Sequence, residues 1–179
     1  MTPADVLAFW FEETRPAQWW AKSADFDRLI EARFGILLAA ASRCELCAWR
    51  SSSDGRLAEI LVLDQFPRNI FRDRPQSFAT DALALALAQE AVAAGADNAI
   101  DPARRAFLYI PYMHSESPLI HARAVELFAA PGMENNLAFE LRHQAIIDRF
   151  GRYPHRNAIL GRQSTVDEIE FLKTPGSWF

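Results

Sequence analysis

Three helix-capping residues in this chain stand directly before a proline: Thr2 before Pro3, Asp101 before Pro102, and Ser117 before Pro118. An oxygen at the cap accepts from the free amides of a first helical turn, and proline suits the first helical position because its missing N–H would have had no partner there. Each pair therefore marks a helix start. Thr165, followed three residues later by Glu168, gives a fourth start as a capping box, and Ser23 and Thr80 add two more. Stops fall at Pro67, Gly95, Pro111, Pro131 with Gly132, and Gly151 with Pro154.

Between these marks almost every segment reads as helix. The first runs from Pro3 to about Glu13. Ser23 leads into ADFDRLIEARFGILLAAASRCELCAW, whose apolar residues recur at three and four, as one long helix or two with a bend near Gly35. SSSDG, from Ser51 to Gly55, reads as a loop, and RLAEILVLDQF as a helix ending before Pro67. In DALALALAQEAVAAG the alanine content outweighs a strand-like alternation. Helices follow from Pro102, from Pro118 and from about Glu134 to Phe150, and a short one leads into FLK. About eight helices with short connections predict an all-α fold of antiparallel pairs, as a bundle or a short solenoid. At 179 residues and 50% hydrophobic composition, one helical domain over 1–179 has enough apolar material for a core.

A net charge of −4 argues against a general nucleic-acid binder, which needs a broad positive surface. The chain has no run of eighteen apolar residues, and MTPADVLAFW lacks the basic flank and cleavage site of a signal peptide, so a cytoplasmic protein with no membrane partner is expected. Cys44 and Cys47 form CELC without a second ligand pair, and read as a helix end rather than a zinc or redox site. Oligomeric state is not legible.

Lysine occurs only at Lys22 and Lys173, so 17 of the 19 basic residues are arginine. Four of these, with a histidine and no acid, fall in RFGRYPHRNAILGR, from Arg149 to Arg162. Arginine's planar fork pairs with carboxylates or phosphates through two bonds. FPRNIFR, from 66 to 72, echoes this stretch as a similar turn.

Polar residues on apolar faces locate the chemistry. Leu57, Ile60, Leu61 and Asp64 share one face of a helix that is apolar elsewhere too, so Asp64 should be buried at the unfavourable end of the helix dipole, needing a cation such as Arg68. Phe139, His143, Ile146, Ile147 and Phe150 form an inward stripe. YIPYMHSES sets His114 and Glu116 in a turn between prolines, where Ser115 or Ser117 can cap the next helix. His114, Glu116, Glu140 and His143 are metal-ligand types, but no HExxH spacing occurs and the arginines would repel a cation, so neither metal nor cofactor is expected. Nucleophile elbows and glycine-rich phosphate loops do not appear.

Taken in order, LDQFPRNIFR, SFATD, FLYIPYMHSE and RFGRYPHRNAILGRQST resemble the bacterial domain-of-unknown-function family 924 over nearly the whole chain. The resemblance implies an all-α, tetratricopeptide-repeat-like fold and no established activity. On the family's polar motif positions stand Asp64, Gln65, Arg68, Asn69, His114, Ser115, Glu116, His143, Arg152, His155, Arg156, Asn157 and Arg162. Ser117, Pro118, His121, Gln144 and Ala145 depart from the family pattern, and no role is carried over to 121, 144 or 145.

Three readings follow. Asp64, Gln65, Arg68, Asn69, His114, Glu116, His143, Arg152, His155, Arg156 and Asn157 converge in a cleft for a small anionic ligand, carboxylate or phosphate, with His114, Glu116 or His143 as acid–base candidates. Alternatively the arginines line a groove of a tetratricopeptide-like module that holds a peptide carboxylate without catalysis. In the third, the charges neutralise one another in a polar network that fixes helix packing.

Overall fold

The computed structural model describes residues 1–177. Among these there are nine α-helices and no strand: α1 (Pro3–Ala8), α2 (Pro16–Trp20), α3 (Ala24–Ser42), α4 (Ser53–Ile70), α5 (Asp81–Ala93), α6 (Pro102–Met113), α7 (Pro118–Phe128), α8 (Glu134–Phe150) and α9 (Val166–Phe171). A π-helical turn, Phe9–Glu13, continues α1. No helix among the described residues is long and apolar enough to cross a membrane.

Consecutive helices from α3 to α8 pack on one another, and α4 touches α1, α3, α5 and α6. That central place explains why α4 is buried continuously from Leu57 to Pro67, its polar Glu59, Asp64 and Gln65 included. Phe9, Trp10, Phe34 and Phe66 form the aromatic heart of the core, with Phe34 4.8 Å from Phe9 and 4.7 Å from Phe66 between ring centres. A smaller cluster of Ile146, Ile147 and Tyr153 sits under α8, flanked by Phe150 and Phe171.

Several boundaries differ from the sequence expectation. Helix α3 passes Gly35 without interruption and stops at Ser42 rather than near Trp49, where Cys44 takes a left-handed φ of 60° and turns the chain. SSSDG is not a loop throughout: Ser52 caps α4 by accepting from the Gly55 amide at 3.1 Å, so the helix starts at Ser53. A side chain at Gly55 would lie 1.9 Å from the Trp49 carbonyl oxygen, so only glycine allows this first turn to seat.

Pro67 does not end α4, which continues to Ile70. A proline inside a helix removes the amide that would bond the carbonyl four residues back, here that of Leu63. The Thr80 hydroxyl donates to that carbonyl instead. Thr80 is consequently not the side-chain cap of α5 that its position suggested. Pro111 likewise lies inside α6, which ends at Met113. Ser117 precedes α7 without a side-chain cap bond, whereas Asp101 caps α6 and Thr165 with Glu168 forms the expected capping box. Phe139, expected inward, is 47% exposed, with Arg142 stacked on its ring.

Candidate functional site

A cleft of about 390 Å³ opens where the α4–α5 connection, α5, the end of α6 and the turn after α8 meet. Its polar lining is Asp81, His114, Ser115, Glu116 and Arg156, and its apolar lining includes Pro75, Phe78, Ala82, Leu85, Pro111 and Leu160.

Asp64 forms the support behind this cleft. It is fully buried near the C-terminal end of α4, and its Oδ1 accepts from His114 Nδ1 at 2.8 Å. Gln65 Nε2 donates to Oδ2 at 2.6 Å, and Arg68 Nη1 lies 3.6 Å from Oδ1 while bonding the Asp64 carbonyl. Burial pushes the carboxyl upward, but the Arg68 charge and the His114 and Gln65 bonds outweigh it and hold the group at about 2. Asp64 is therefore ionised and can only accept, which puts the His114 proton on Nδ1. His114 Nε2 makes no hydrogen bond among the described residues, and the ring lines the cleft. Burial, then the Arg68 charge, lowers the His114 pKa against the pull of Asp64, leaving a neutral imidazole in the cleft lining.

The four arginines of RFGRYPHRNAILGR divide sharply. Arg149 stacks 4.6 Å over Phe150. Arg152 grips Glu168 through two bonds of 2.6 and 2.8 Å, away from the cleft. Arg162 grips Glu116 through bonds of 2.6 and 2.9 Å, and Glu116 also accepts from the Tyr153 amide at 2.8 Å. Arg156 alone of the four lines the cleft. It is 6% exposed, its guanidinium lies between the Phe78 and Tyr153 rings at 4.6 Å from each, and its one hydrogen bond among the described residues runs from Nη1 to Asp81 Oδ2 at 3.3 Å. Its Nε–H is buried without a partner among the described residues. Burial and the neighbouring Arg68 charge push its pKa down.

Asp81 ties Arg156 to Arg68 behind it, accepting from Arg68 Nη2 at 3.0 Å as well as from Arg156. Sequence reasoning missed Asp81, Phe78 and Tyr153 as parts of the site. Asp81 and Phe78 do stand in SFATD, one of the motifs that carry the resemblance, so a signal existed.

Other expected site residues lie apart from the cleft. Asn69 donates to Asp27 Oδ1 at 2.9 Å and ties α4 to α3. Asn157 braces the turn between Ser164 and Arg162. His143 faces inward, donating from Nδ1 to the Phe139 carbonyl at 2.8 Å, and its ring meets Tyr153 at 5.8 Å. Burial lowers its pKa to about 4. His155 packs 5.5 Å from the Tyr153 ring, and burial with the Arg156 charge lowers it to about 3. No three His, Cys, Asp or Glu side chains among the described residues converge as a metal ion requires.

A second histidine–carboxylate pair lies behind the cleft, one that no local pattern announced. His121 and Glu140 are both fully buried and meet at 2.6 Å through Nδ1 and Oε1. His121 Nε2 sits 2.8 Å from the Ser115 carbonyl, which only accepts, so Nε2 carries a proton. Two bare acceptors would not approach to 2.6 Å, so a second proton lies between His121 and Glu140. Burial raises the Glu140 pKa, in keeping with that proton. The Tyr153 hydroxyl bonds the Met113 carbonyl, so residues on both sides of His114 are held from behind.

Among curated proteins, none matches this chain. The solved structure of ATU0120, a protein of unknown function from Agrobacterium tumefaciens, is 40% identical over 96% of each chain and superimposes with a TM-score of 0.90. The model of a family described as bacterial protein of unknown function, DUF924, matches residues 6–176, and the chain belongs to that family.

Proposed function

We propose that the cleft binds a small anionic molecule, a carboxylate or phosphate, through Arg156, with His114 placed for acid–base chemistry on it. The observation that carries this reading is the idle Nε–H of Arg156. A buried guanidinium donor without a partner costs free energy, and among the cleft's lining residues Arg156 is the cation that carries one. The other three arginines of the stretch do not line this cleft: Arg152 and Arg162 each grip a carboxylate through two bonds and Arg149 stacks on Phe150, whereas Arg156 holds Asp81 through one bond of 3.3 Å.

His114 supports the chemical half of the reading. Asp64 fixes its tautomer and would stabilise an imidazolium, while Nε2 is left at the cleft wall as a base. A peptide carboxylate is the same chemical group on a larger body, but a cleft of about 390 Å³ is at the small end of ligand pockets and favours a small molecule.

A thermal-shift panel of carboxylates and phosphates on the wild type and Arg156→Gln tests the reading. Stabilisation of the wild type by at least one class, lost in Arg156→Gln, is expected. Equal shifts in both proteins, or none in either, would remove Arg156 and the cleft from the account.

A further inference from the structure

The charges around the cleft balance before any ligand arrives. Asp64, Asp81 and Glu116 face Arg68, Arg156 and Arg162 in direct ion pairs, and His114 is neutral. A dianionic phosphate would enter beside Asp81 and Glu116 with no unmatched cation to receive it. Among the described residues the polar atoms of Arg156 and His114 left without a hydrogen bond are Nε and Nη2 of Arg156, which are donors, and Nε2 of His114, which is an acceptor. Guanidinium donors facing an imidazole acceptor complement a carboxylic acid, whose carbonyl accepts and whose hydroxyl donates. Around them Pro75, Phe78, Ala82, Leu85 and Leu160 offer an apolar wall that a bare inorganic ion would leave unused.

From this juxtaposition we propose that the cleft's ligand is a monocarboxylic acid with an apolar body, taken up together with one proton and held between Arg156 and His114. The proposal deepens the anion-site reading and rests on it. In the bound state the carboxylate accepts from Arg156, and the proton, drawn from solvent, sits on His114 Nε2 and is shared with the second carboxylate oxygen. Charge is conserved in the cleft: one negative ligand arrives with one positive proton.

The groups that face His114 decide when this happens. Asp64 and Asp81 favour the imidazolium; Arg68, and the neighbouring His143 and His155 when charged, oppose it, and Glu116 and Arg156 line the same cleft with opposite charges. In the empty cleft burial and Arg68 win and the ring stays neutral. The ligand's charge, arriving within hydrogen-bond reach of Nε2, reverses the balance.

Calorimetric titration of the full-length protein with hexanoate, a six-carbon monocarboxylate, tests this when run in two buffers of different ionisation enthalpy at about pH 7.5, where free His114 is neutral. Succinate and inorganic phosphate serve as comparators. Hexanoate should bind with uptake of about one proton, its affinity falling about tenfold per pH unit in the alkaline range, and at least about tenfold more tightly than either comparator. Arg156→Gln should weaken hexanoate by about tenfold or more, and His114→Gln, whose amide can still donate, should bind it with no proton uptake. Circular dichroism confirms that each variant is folded. Hexanoate binding without proton uptake, or tighter binding of phosphate or succinate at the same Arg156-dependent site, overturns the monocarboxylate proposal and leaves the anion site standing. Absence of Arg156-dependent binding by all three overturns both.

Discussion

His114 and His121 each set Nδ1 on a buried carboxylate, Asp64 at 2.8 Å and Glu140 at 2.6 Å, and they lie only seven residues apart in sequence. The difference between them is the fate of Nε2. In His121 it is spent on the Ser115 carbonyl, so the ring has no atom left for chemistry and the pair holds a fixed proton inside the core. In His114 Nε2 makes no hydrogen bond among the described residues, and the ring lines the cleft. The same two-residue unit thus serves as a strut in one place and as a candidate acid–base in the other. Desolvating a histidine and a carboxylate is costly in either pair, so neither can be read as simple stabilisation. The strut has a purpose at the cleft: with Tyr153 it holds the carbonyls of Met113 and Ser115, the residues flanking His114.

Breaking the strut should have the largest effect. Glu140→Ala leaves a buried imidazole without its partner and should cost about 3–5 kcal/mol in urea unfolding. A loss below about 1 kcal/mol would mean that the pair is not the strut described. Acid should come next, through His143, which lies against Tyr153 and is held near 4 by burial. Its folded pKa lies below the unfolded value of about 6.5, so the unfolded chain binds the proton first and stability falls as pH drops from about 6.5 to 4. The contribution is on the order of 3 kcal/mol, and His143→Phe should flatten that part of the stability curve. Asp64 acts lower down. Its folded pKa of about 2 is below the ordinary 3.8, so its stabilisation is present above 3.8 and lost as pH falls toward 2.

Asp64→Asn sharpens the comparison from the other side. It keeps the shape but offers His114 an amide that can reverse the tautomer, so anion affinity should fall about 10- to 100-fold, with a smaller change in unfolding free energy. If affinity is unchanged while stability drops by several kcal/mol, the Asp64–His114 pair is a second strut. The smallest effect belongs to Arg149→Gln on the exposed ring stack, expected within about 0.5 kcal/mol of wild type in thermal unfolding and without effect on anion binding.

The sequence carried the helices well because helix ends are local chemistry: Asp101, Thr165 and Gly151 mark theirs by side-chain oxygen or left-handed backbone. It misread Pro67 because the rescue of the Leu63 carbonyl comes from Thr80, a contact that exists only once α5 has packed. For the site, burial of Asp64 and the inward turn of His143 followed from helical spacing. The sorting of the arginines did not. Arg152, Arg156 and Arg162 look alike in sequence, and what separates them is Glu168, Asp81 and Glu116, two of which lie far along the chain. The His121–Glu140 pair spans two helices, and neither residue has a neighbour in sequence that hints at the other.

The central claim is that His114 is open to the cleft while His121 is closed, and the protein's four histidines make this accessible to ring-nitrogen NMR. Long-range proton–nitrogen correlation near neutral pH, assigned with His114→Gln and His121→Gln, should show His114 protonated on Nδ1 with a bare Nε2 that shifts toward the protonated range on adding hexanoate, while His121 keeps a protonated Nε2 throughout. A His114 ring that is unmoved by every anion tested, or a His121 ring that responds in its place, would contradict the account.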